Sequence, residues 1–263
     1  MLQETENNSR SESLGTETLR DFAEERADRK AHLAGAYRIF ALFGYDHWVA
    51  GHITVRDPQH PEQFWVNPFG MSWRQIRSSD LILVSPEGEI LEGEGSLNGA
   101  AFAIHSAIHR ARPDVVAVAH AHTPNGQAWS ATGRQLSPVT QDACAFYQDH
   151  AVFDEYTGVI YDASEGDRVA SVLEGNKALI LRHHGLITVG TTVDEAAFWL
   201  HLLEKCCGTH LLLSAAAPNE PLPSIGHHDA LRAHDQVGQH KHGWLGFQTL
   251  WSDLQKNEPD LFE

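Results

Sequence analysis

The stretch Val115-Val116-Ala117-Val118-Ala119-His120-Ala121-His122 decides the fold, because it joins a β-branched apolar run to a His-x-His motif. Side chains alternate across a strand, so His120 and His122 point to the same face, roughly 6.5–7 Å apart along it. Two imidazoles at that spacing can bind one metal ion through bonds of about 2.1 Å. The stretch therefore predicts a strand that ends at a metal site.

A second apolar run, Ala178-Leu179-Ile180-Leu181, leads into Arg182-His183-His184-Gly185. This pattern predicts another buried strand that delivers a histidine pair into a glycine turn. A single histidine beside an apolar strand is more often a hydrogen-bonded core residue, and the chain has 18 histidines. The two stretches together nevertheless favour a three-histidine metal centre.

The composition limits the class of protein. The 263 residues, 42% hydrophobic and 21% charged, suit one large globular domain or two small ones. A formal charge of −16 argues against nucleic acid and anionic membrane surfaces as partners. The sequence has no apolar run near the ~20 residues of a membrane span and no apolar signal core, so we expect a cytoplasmic protein. The odd cysteine count and the absence of a CxxC motif predict small buried side chains at Cys144, Cys206 and Cys207.

The chain divides into three parts. Residues 1–20 are polar and lack aromatic side chains, which predicts a flexible arm. Residues 21–216 carry the helical and strand patterns of a single α/β domain. Residues 217–263 form a His-rich polar tail whose aromatics, Trp244, Phe247 and Trp251, are expected to pack on the body or on a neighbouring subunit.

Hydrophobic periodicity and turn residues predict the elements of the domain. Helices are expected at about 22–43, 97–111, 125–131, 165–173 and 193–215. Strands are expected at 52–56, 64–67, 81–84, 115–122, about 145–153, 178–184 and 187–189. The first of these strands look antiparallel, because they are short and separated by Pro/Gly turns.

The ordered motifs of the chain resemble those of the class II aldolase/adducin family. The resemblance runs from about residue 27 to 215 and rests on four motifs, Gly51–Arg56, Arg112-Pro113-Asp114, His120-Ala121-His122 and His184-Gly185-Leu186. It implies a nine-stranded-type α/β/α fold with a mixed, largely antiparallel sheet. It also implies a C4 homotetramer with active sites at subunit interfaces.

The resemblance further implies a divalent metal, Fe²⁺ or Zn²⁺ with Mn²⁺ as a further alternative, held by His120, His122 and His184. His183 stands where many relatives carry Asn, which implies a supporting role behind the ligands. Two other pairs, His105/His109 and His227/His228, are rival metal sites on spacing alone. A carboxylate ligand from Asp142, Asp149 or Glu94 is a further alternative, since iron oxygenases usually use two histidines and one carboxylate.

At several positions that the sugar-phosphate aldolases of this family use for catalysis or phosphate binding, this sequence carries different residues. The position that matches their catalytic acid is Ala101, which cannot transfer a proton. Their phosphate-binding serines are replaced by Gly99 and Ala100, and a hydroxyl-Gly pair is replaced by Phe69-Gly70. Gly51-His52 stands where they carry Gly-Asn. These changes argue against a phosphorylated substrate and against the standard retro-aldol mechanism.

The segments Asp46–His52 and Asn67–Gly70 are similar to one branch in particular, the decarboxylating non-haem iron oxygenases of aminocoumarin biosynthesis. Our leading hypothesis is a metal-dependent lyase of decarboxylase type that cleaves a C–C bond in a non-phosphorylated, aromatic oxo- or hydroxy-acid. The alternatives are an Fe(II)-dependent decarboxylating oxygenase of a 4-hydroxyphenylpyruvate-like substrate, an aldolase on a small aldehyde or ketone, and a non-catalytic adducin-like assembly module.

The resemblance also implies roles for residues around the metal. His52, Gln141 and Asp142 are candidates for proton delivery; the last two fall where relatives place a residue that crosses into the neighbouring site, and turn or interface hydrogen bonding is their alternative. Aromatic residues near the metal, such as Trp65 and Trp73, would suit a flat substrate, although core packing is the favoured interpretation for any single one of them. The residues expected to bind a small-molecule substrate are Asn67, Phe69, Gly70, Asn98 and Tyr147.

Overall fold

The computed structural model describes residues 21–159 and 162–263, so the predicted arm at 1–20 lies outside the described residues. The described chain forms one mixed sheet with helices on both faces. Its strands are β1 (His52–Arg56), β2 (Phe64–Val66), β3 (Ile82–Val84), β4 (Ile90–Glu92), β5 (Ala117–Ala121), β6 (His150–Phe153), β7 (Ala178–Leu181) and β8 (Gly185–Gly190). Its helices are α1 (Phe22–Leu42), α2 (Gly99–Ala111), α3 (Pro124–Ser130), α4 (Gln141–Cys144), α5 (Ala163–Leu173), α6 (Val193–Ala216), α7 (His227–Val237) and α8 (His240–Asn257).

The strand order of the sheet is β4-β3-β2-β1-β5-β8-β7-β6. Only β6 and β7 pair in parallel, so the expected mixed, largely antiparallel α/β sheet is confirmed. The implied nine strands were one too many for the described residues, which form eight. Strand β5 lies between β1 and β8, and this central position brings the first histidine motif to the middle of the molecule.

The two faces of the sheet bury different side chains of β5. Val118 packs with residues of α2 and α5, whereas Ala117, Ala119 and Ala121 pack with α1, α6 and α8. A strand covered on both faces is apolar throughout, which is why this segment has few polar residues before His120. The alternation places His120 on the same face as Val118 and α2.

Side-chain caps mark the beginnings of α2, which borders the histidine site, and of α6. The Asn98 Oδ1 accepts hydrogen bonds from the backbone N–H groups of Ala100 and Ala101, at 3.1 and 3.3 Å. Helix α2 therefore starts two residues later than its apolar pattern suggested. Thr192 caps α6 in the same way, by accepting from the backbone of Glu195.

The prediction of a strand over about 145–153 was largely wrong. Thr140 caps the short helix α4, turns follow, and only His150–Phe153 is extended. A short apolar segment has no periodicity that separates a buried turn from a buried strand, so the cap at Thr140 was the better signal.

The tail forms two helices, α7 and α8, that the sequence patterns did not predict. In α8, Trp251 is 6% exposed and its ring packs against Gly35 of α1. Phe247 is fully buried in the same cluster, whereas Trp244 is 46% exposed. No helix among the described residues is both long and apolar enough to cross a membrane.

Candidate metal centre

Three histidine side chains meet at the end of β5. One ring nitrogen from each of His120, His122 and His184 lies within 4.8 Å of the others, and the ring centroids are 4.7–5.1 Å apart. Two nitrogens bound to one ion at about 2.1 Å are separated by at most about 4.2 Å, so small ring rotations close the set on a metal. These three neutral donors fit a borderline divalent ion such as Zn²⁺ or Fe²⁺.

The backbone orients His120. Its Nδ1 lies 2.8 Å from the carbonyl oxygen of Leu186 on β8, which can only accept a hydrogen bond. The proton of the neutral ring is therefore on Nδ1, and the lone pair of Nε2 is left for a metal. The β5–β8 ladder, in which Ala121 pairs with Leu186, sets this contact.

A tight turn between β7 and β8 delivers His184. His183 adopts a left-handed backbone with φ of 60°, and the N–H of His184 donates to the carbonyl of Leu181 at 3.0 Å. Gly185 then lets β8 approach β5: a Cβ at this position would lie 2.8 Å from the carbonyl oxygen of Ala121. The glycine after the histidine pair is thus needed for close strand approach beside the ligands.

Burial keeps the three rings neutral. It is the largest cause of a lowered pKa for His120, well below its usual value, and it lowers the pKa of His122 and His184 to about 4. Neighbouring histidines act in the same direction, since each would repel a second positive charge. Neutral imidazoles are the form that binds metal, so the set is ready at neutral pH.

The triad opens into a cavity of about 340 Å³. Among the described residues that line it there is no Asp, Glu, Lys or Arg. The lining is apolar and aromatic, with histidines and two amides: Val49, Ala50, Gly51, His52, Phe69, Asn98, Ala100, Ile104, His120, His122, Gln127, Tyr156, Gly158, Val159, His183 and His184.

Four predicted site residues line this cavity beside the ligands. They are His52, Phe69, Asn98 and His183. His52 pairs with His120 across the β1–β5 ladder, and their ring centroids are 4.9 Å apart. His183 contacts the ring of Tyr156 edge to face at 5.9 Å.

The other predicted site residues lie elsewhere in the described chain. Asn67 is buried and accepts a hydrogen bond from the Tyr37 hydroxyl at 2.6 Å, so it supports the fold behind the cavity. Gly70 is exposed and has φ of 85°. The Tyr147 hydroxyl lies 2.9 Å from Nδ1 of His227, while Gln141 and Asp142 are exposed on α4.

The aromatic residues Trp65 and Trp73 belong to the core. Both are almost fully buried, Trp65 donates to Asp57 at 3.0 Å, and Trp73 lies under Gly51. Neither lines the cavity, so both agree with core packing, the interpretation that was favoured for each. Trp65 lies on β2 and Trp73 begins a short 3-10 helix, and apolar composition alone does not distinguish such core positions from a pocket wall.

The rival metal sites do not assemble. Among the described residues, the triad is the one group of three or more potential ligands that converges. His105 and His109 bond to other side chains, and His228 is exposed. Of the alternative carboxylates, Asp149 pairs with Lys177 at 3.0 Å, while Glu94 and Asp142 are exposed.

Sequence reasoning missed several residues of the cavity, chiefly Gln127, Tyr156 and Val159. Gln127 was open to prediction, because α3 begins at Pro124, directly after the His-x-His strand, and its first turn must lie beside the ligands. Tyr156 and Val159 lie in an irregular loop after β6 that carries no periodic signal.

The mixed α/β sheet and the three converging histidines define the class to which the protein belongs. The family model for the class II aldolase and adducin N-terminal domain matches residues 31–211, and the chain belongs to this family.

The chain is also similar to individual proteins of this family. The chain is 46% identical over 242 residues to the 4-hydroxy-3-prenylphenylpyruvate oxygenase/4-hydroxy-3-prenylbenzoate synthase of Streptomyces roseochromogenus subsp. oscitans, covering 91% of this chain and 86% of that protein. It is also 46% identical to the decarboxylase NovR of Streptomyces niveus, covering 91% and 88%. Among solved structures, the L-fuculose 1-phosphate aldolase from Glaciozyma antarctica PI12 matches with a TM-score of 0.85 and 40% identity, covering 95% of this chain and 97% of that one.

Proposed function

We propose that this protein is a metal-dependent enzyme that decarboxylates a non-phosphorylated, aromatic oxo- or hydroxy-acid. The observation that carries the proposal is a three-histidine set in an apolar cavity whose described lining has no charged side chain. A phosphate dianion would need cationic or multiple N–H partners, and the cavity offers no Lys or Arg among the described residues. A flat substrate with one carboxylate suits this cavity better.

The proposed ligands are His120, His122 and His184, with Fe²⁺, Zn²⁺ or Mn²⁺ as the ion. A bound divalent ion supplies Lewis-acid polarisation of a carbonyl or carboxylate oxygen. Phe69 and Tyr156 provide apolar rings at the mouth of the cavity, and His52, Asn98 and Gln127 provide polar groups around the substrate. His183 supports the turn that carries His184.

An iron-dependent oxygenase is the second candidate function. The relative from Streptomyces roseochromogenus is named an oxygenase of a prenylated hydroxyphenylpyruvate, and this chain aligns with most of its length. The same apolar cavity would accept a 4-hydroxyphenylpyruvate-like acid. The two candidates share the substrate class and differ in whether oxygen is consumed.

An aldolase reaction has less support from the site. The position expected to carry its acid is Ala101, which is buried at the first turn of α2, and no described carboxylate lines the cavity. An aldolase on a small aldehyde or ketone and a non-catalytic adducin-like module are therefore alternatives that the experiment described below can distinguish from the decarboxylase. The second of these would leave the protein without stoichiometric metal.

We also propose that the protein is a cytoplasmic homotetramer with the sites at subunit interfaces. Exposed apolar side chains surround the mouth of the cavity, including Phe69, Tyr156 and Val159, at 45%, 60% and 63% exposure. Such clusters mark contact surfaces. Gln141 and Asp142, exposed on α4, would then serve a neighbouring subunit's cavity. The three buried, unpaired cysteines suit a reducing compartment.

The test is anaerobic purification with metal quantification, followed by assays on 4-hydroxyphenylpyruvate and related aryl α-keto acids with and without oxygen. Carbon dioxide release without oxygen supports the decarboxylase. Release that depends on oxygen, with matching oxygen uptake, supports the oxygenase. Cleavage of small hydroxy-carbonyl compounds instead, or stoichiometric metal missing after reconstitution, would overturn the proposal.

A further inference from the structure

Four buried side chains form a continuous string of hydrogen bonds between β1 and α2. The Nδ1 of His52 lies 2.6 Å from the Nε2 of His105. The Thr54 hydroxyl lies 2.7 Å from the Nδ1 of His105 and 2.8 Å from the Nε2 of His109. None of the four is more than 4% exposed. One end of the string, His52, lines the metal cavity.

The elements explain why these side chains meet. His52 and Thr54 are two residues apart on β1 and point to the same face, towards α2. His105 and His109 are four residues apart on α2 and so lie on one side of the helix. At the far end, the ring of His109 stacks on Phe64, with centroids 5.4 Å apart.

All three rings are neutral. Burial is the largest cause of a pKa well below the usual value for His52 and His105, and it lowers the pKa of His109 to about 3, with the Arg56 guanidinium as a second cause. A neutral imidazole donates from one nitrogen and accepts at the other. Each link in the string therefore fixes the direction of the next.

The single hydroxyl proton of Thr54 couples the rings. Within the described chain, the hydrogen-bond partners of this hydroxyl are the two histidine nitrogens. It must donate to one and accept from the other. Only two arrangements then satisfy every link: all three rings protonated on Nδ1, or all three protonated on Nε2.

The far end of the string selects between these arrangements. The Nδ1 of His109 is buried and has no hydrogen-bond partner among the described residues. The carbonyl oxygen of Val115 lies near this nitrogen, but it accepts from the Nε of Arg56 at 2.6 Å and makes no hydrogen bond of good geometry with Nδ1. Buried N–H donors without an acceptor are rarer in proteins than buried acceptors without a donor. The positive charge of Arg56 also favours a lone pair, and not a proton, on Nδ1 of His109. The arrangement with all three protons on Nε2 follows.

We propose that Thr54, His105 and His109 are positioning residues that hold His52 as a neutral Nε2–H donor at the metal cavity. This inference rests on the proposed function for its substrate: the donated hydrogen bond goes to an oxygen of the bound oxo acid. It also explains why His52, whose ring lies 4.9 Å from that of His120, stays outside the converging metal set. A ring whose Nε2 carries a proton cannot be a ligand through that nitrogen.

The test begins with the wild-type protein, ¹⁵N-labelled at histidine and free of metal. Nitrogen chemical shifts and couplings to ring protons show which nitrogen of each histidine is protonated. We expect His52, His105 and His109 all to be protonated on Nε2. Protonation of His52 on Nδ1 would overturn the proposal.

Zinc titration of the same sample separates this inference from the proposed function. We expect Zn²⁺ to shift the ring signals of His120, His122 and His184 and to leave the Nε2 proton of His52 in place. Loss of that proton to the metal overturns the inference. If Zn²⁺ shifts no ring, the proposed function fails, while the metal-free spectrum still decides the tautomer of His52.

Two variants test the positioning role. Thr54→Val removes the coupling hydroxyl at nearly constant volume, and we expect His52 to become a mixture of tautomers; Thr54→Ser keeps the hydroxyl and is expected to restore a single one. An unchanged His52 signal in Thr54→Val would overturn the role. His109→Phe keeps an aromatic ring against Phe64 and removes the last donor, so it tests the same point if the valine variant does not fold.

Discussion

His122 is the proposed ligand whose loss most directly tests the centre, since His120 is hydrogen-bonded to Leu186 and His184 is held by the β7–β8 turn. We expect His122→Ala to lose stoichiometric metal, because two remaining imidazoles leave the ion with too few protein ligands. Metal content after reconstitution and gel filtration measures this.

The control for that experiment is His183→Ala. His183 adjoins the ligand His184 but is outside the converging set. We expect the control to keep stoichiometric metal, because the three converging histidines all remain. Equal metal content in His122→Ala and wild type would contradict the assigned ligands.

Buried neutral histidines make the metal-free fold sensitive to acid. The pKa of His109 is about 3 in the folded protein and about 6.5 when unfolded, so between these values only the unfolded chain binds the proton. Stability from this group is complete above about pH 6.5 and is lost as the pH falls towards 3. We expect the free energy of unfolding, measured by urea denaturation, to fall over this range.

Substitution isolates the contribution of His109. One proton changes the slope of stability against pH by about 1.4 kcal/mol per pH unit, so His109→Phe is expected to flatten the acid limb by up to that amount. His228→Ala is the control, because His228 is 89% exposed. Identical acid limbs in His109→Phe and wild type would show that His109 is not held neutral.

At the scale of the element, β8 depends on a glycine beside the ligands. A Cβ at Gly185 would lie 2.8 Å from the backbone of Ala121 and 3.4 Å from the ring of His120. We expect Gly185→Ala to destabilise the fold by about 1–3 kcal/mol, as overpacking does, and to weaken metal binding together with it. Thermal unfolding and zinc calorimetry measure the two effects.

Gly175→Ala is the matched control, because a Cβ there meets nothing within 4 Å. We expect it to leave stability and metal affinity close to wild type or to raise stability slightly. If Gly185→Ala behaved like this control, the close approach of β8 to β5 would not be needed for the site.

The tail helix α8 is expected to be part of the fold. Trp251 packs on Gly35, and its ring centroid lies 4.1 Å from that of His32. We expect Trp251→Ala to cost about 3–5 kcal/mol in unfolding free energy, as for other buried aromatics. Trp244→Ala, at a 46% exposed position of the same helix, should cost far less. Similar losses in both variants would argue against this packing.

The bounds of some strands and helices could be predicted from the sequence almost to the residue, as β1 and α6 show. The three converging histidines followed from strand alternation and the resemblance. The hydrogen-bonded string through Thr54 could not be predicted. It depends on the packing of α2 against β1, and neither segment's sequence specifies that tertiary contact. Helix α8 was missed since its apolar positions are spread among glycines and polar residues, and its partner face on α1 lies over two hundred residues away.

For the whole molecule, the proposed tetramer predicts a response to charge at the cavity mouth. Trp48 is 89% exposed and has a left-handed backbone with φ of 55°, beside the cavity residue Val49. We expect Trp48→Asp to dissociate an assembly of four 29.1 kDa chains, measured by sedimentation. Leu212→Asp, at a 74% exposed position outside the cavity lining, is the control. A monomeric wild type would contradict the assembly.

The β5–β8 ladder has a consequence for how the protein matures. Its two strands are more than sixty residues apart in sequence, and their pairing both brings the turn at His184 to β5 and aligns the ring of His120. Such distant pairings close late, because the loop entropy must be overcome first. Before β8 pairs with β5, only the His-x-His pair is held in place, so an ion bound at the proposed site would gain its third ligand when the sheet is complete. Tight metal binding would thus indicate that the chain has finished folding. A strong chelator should therefore remove the ion from misfolded chains much faster than from native ones.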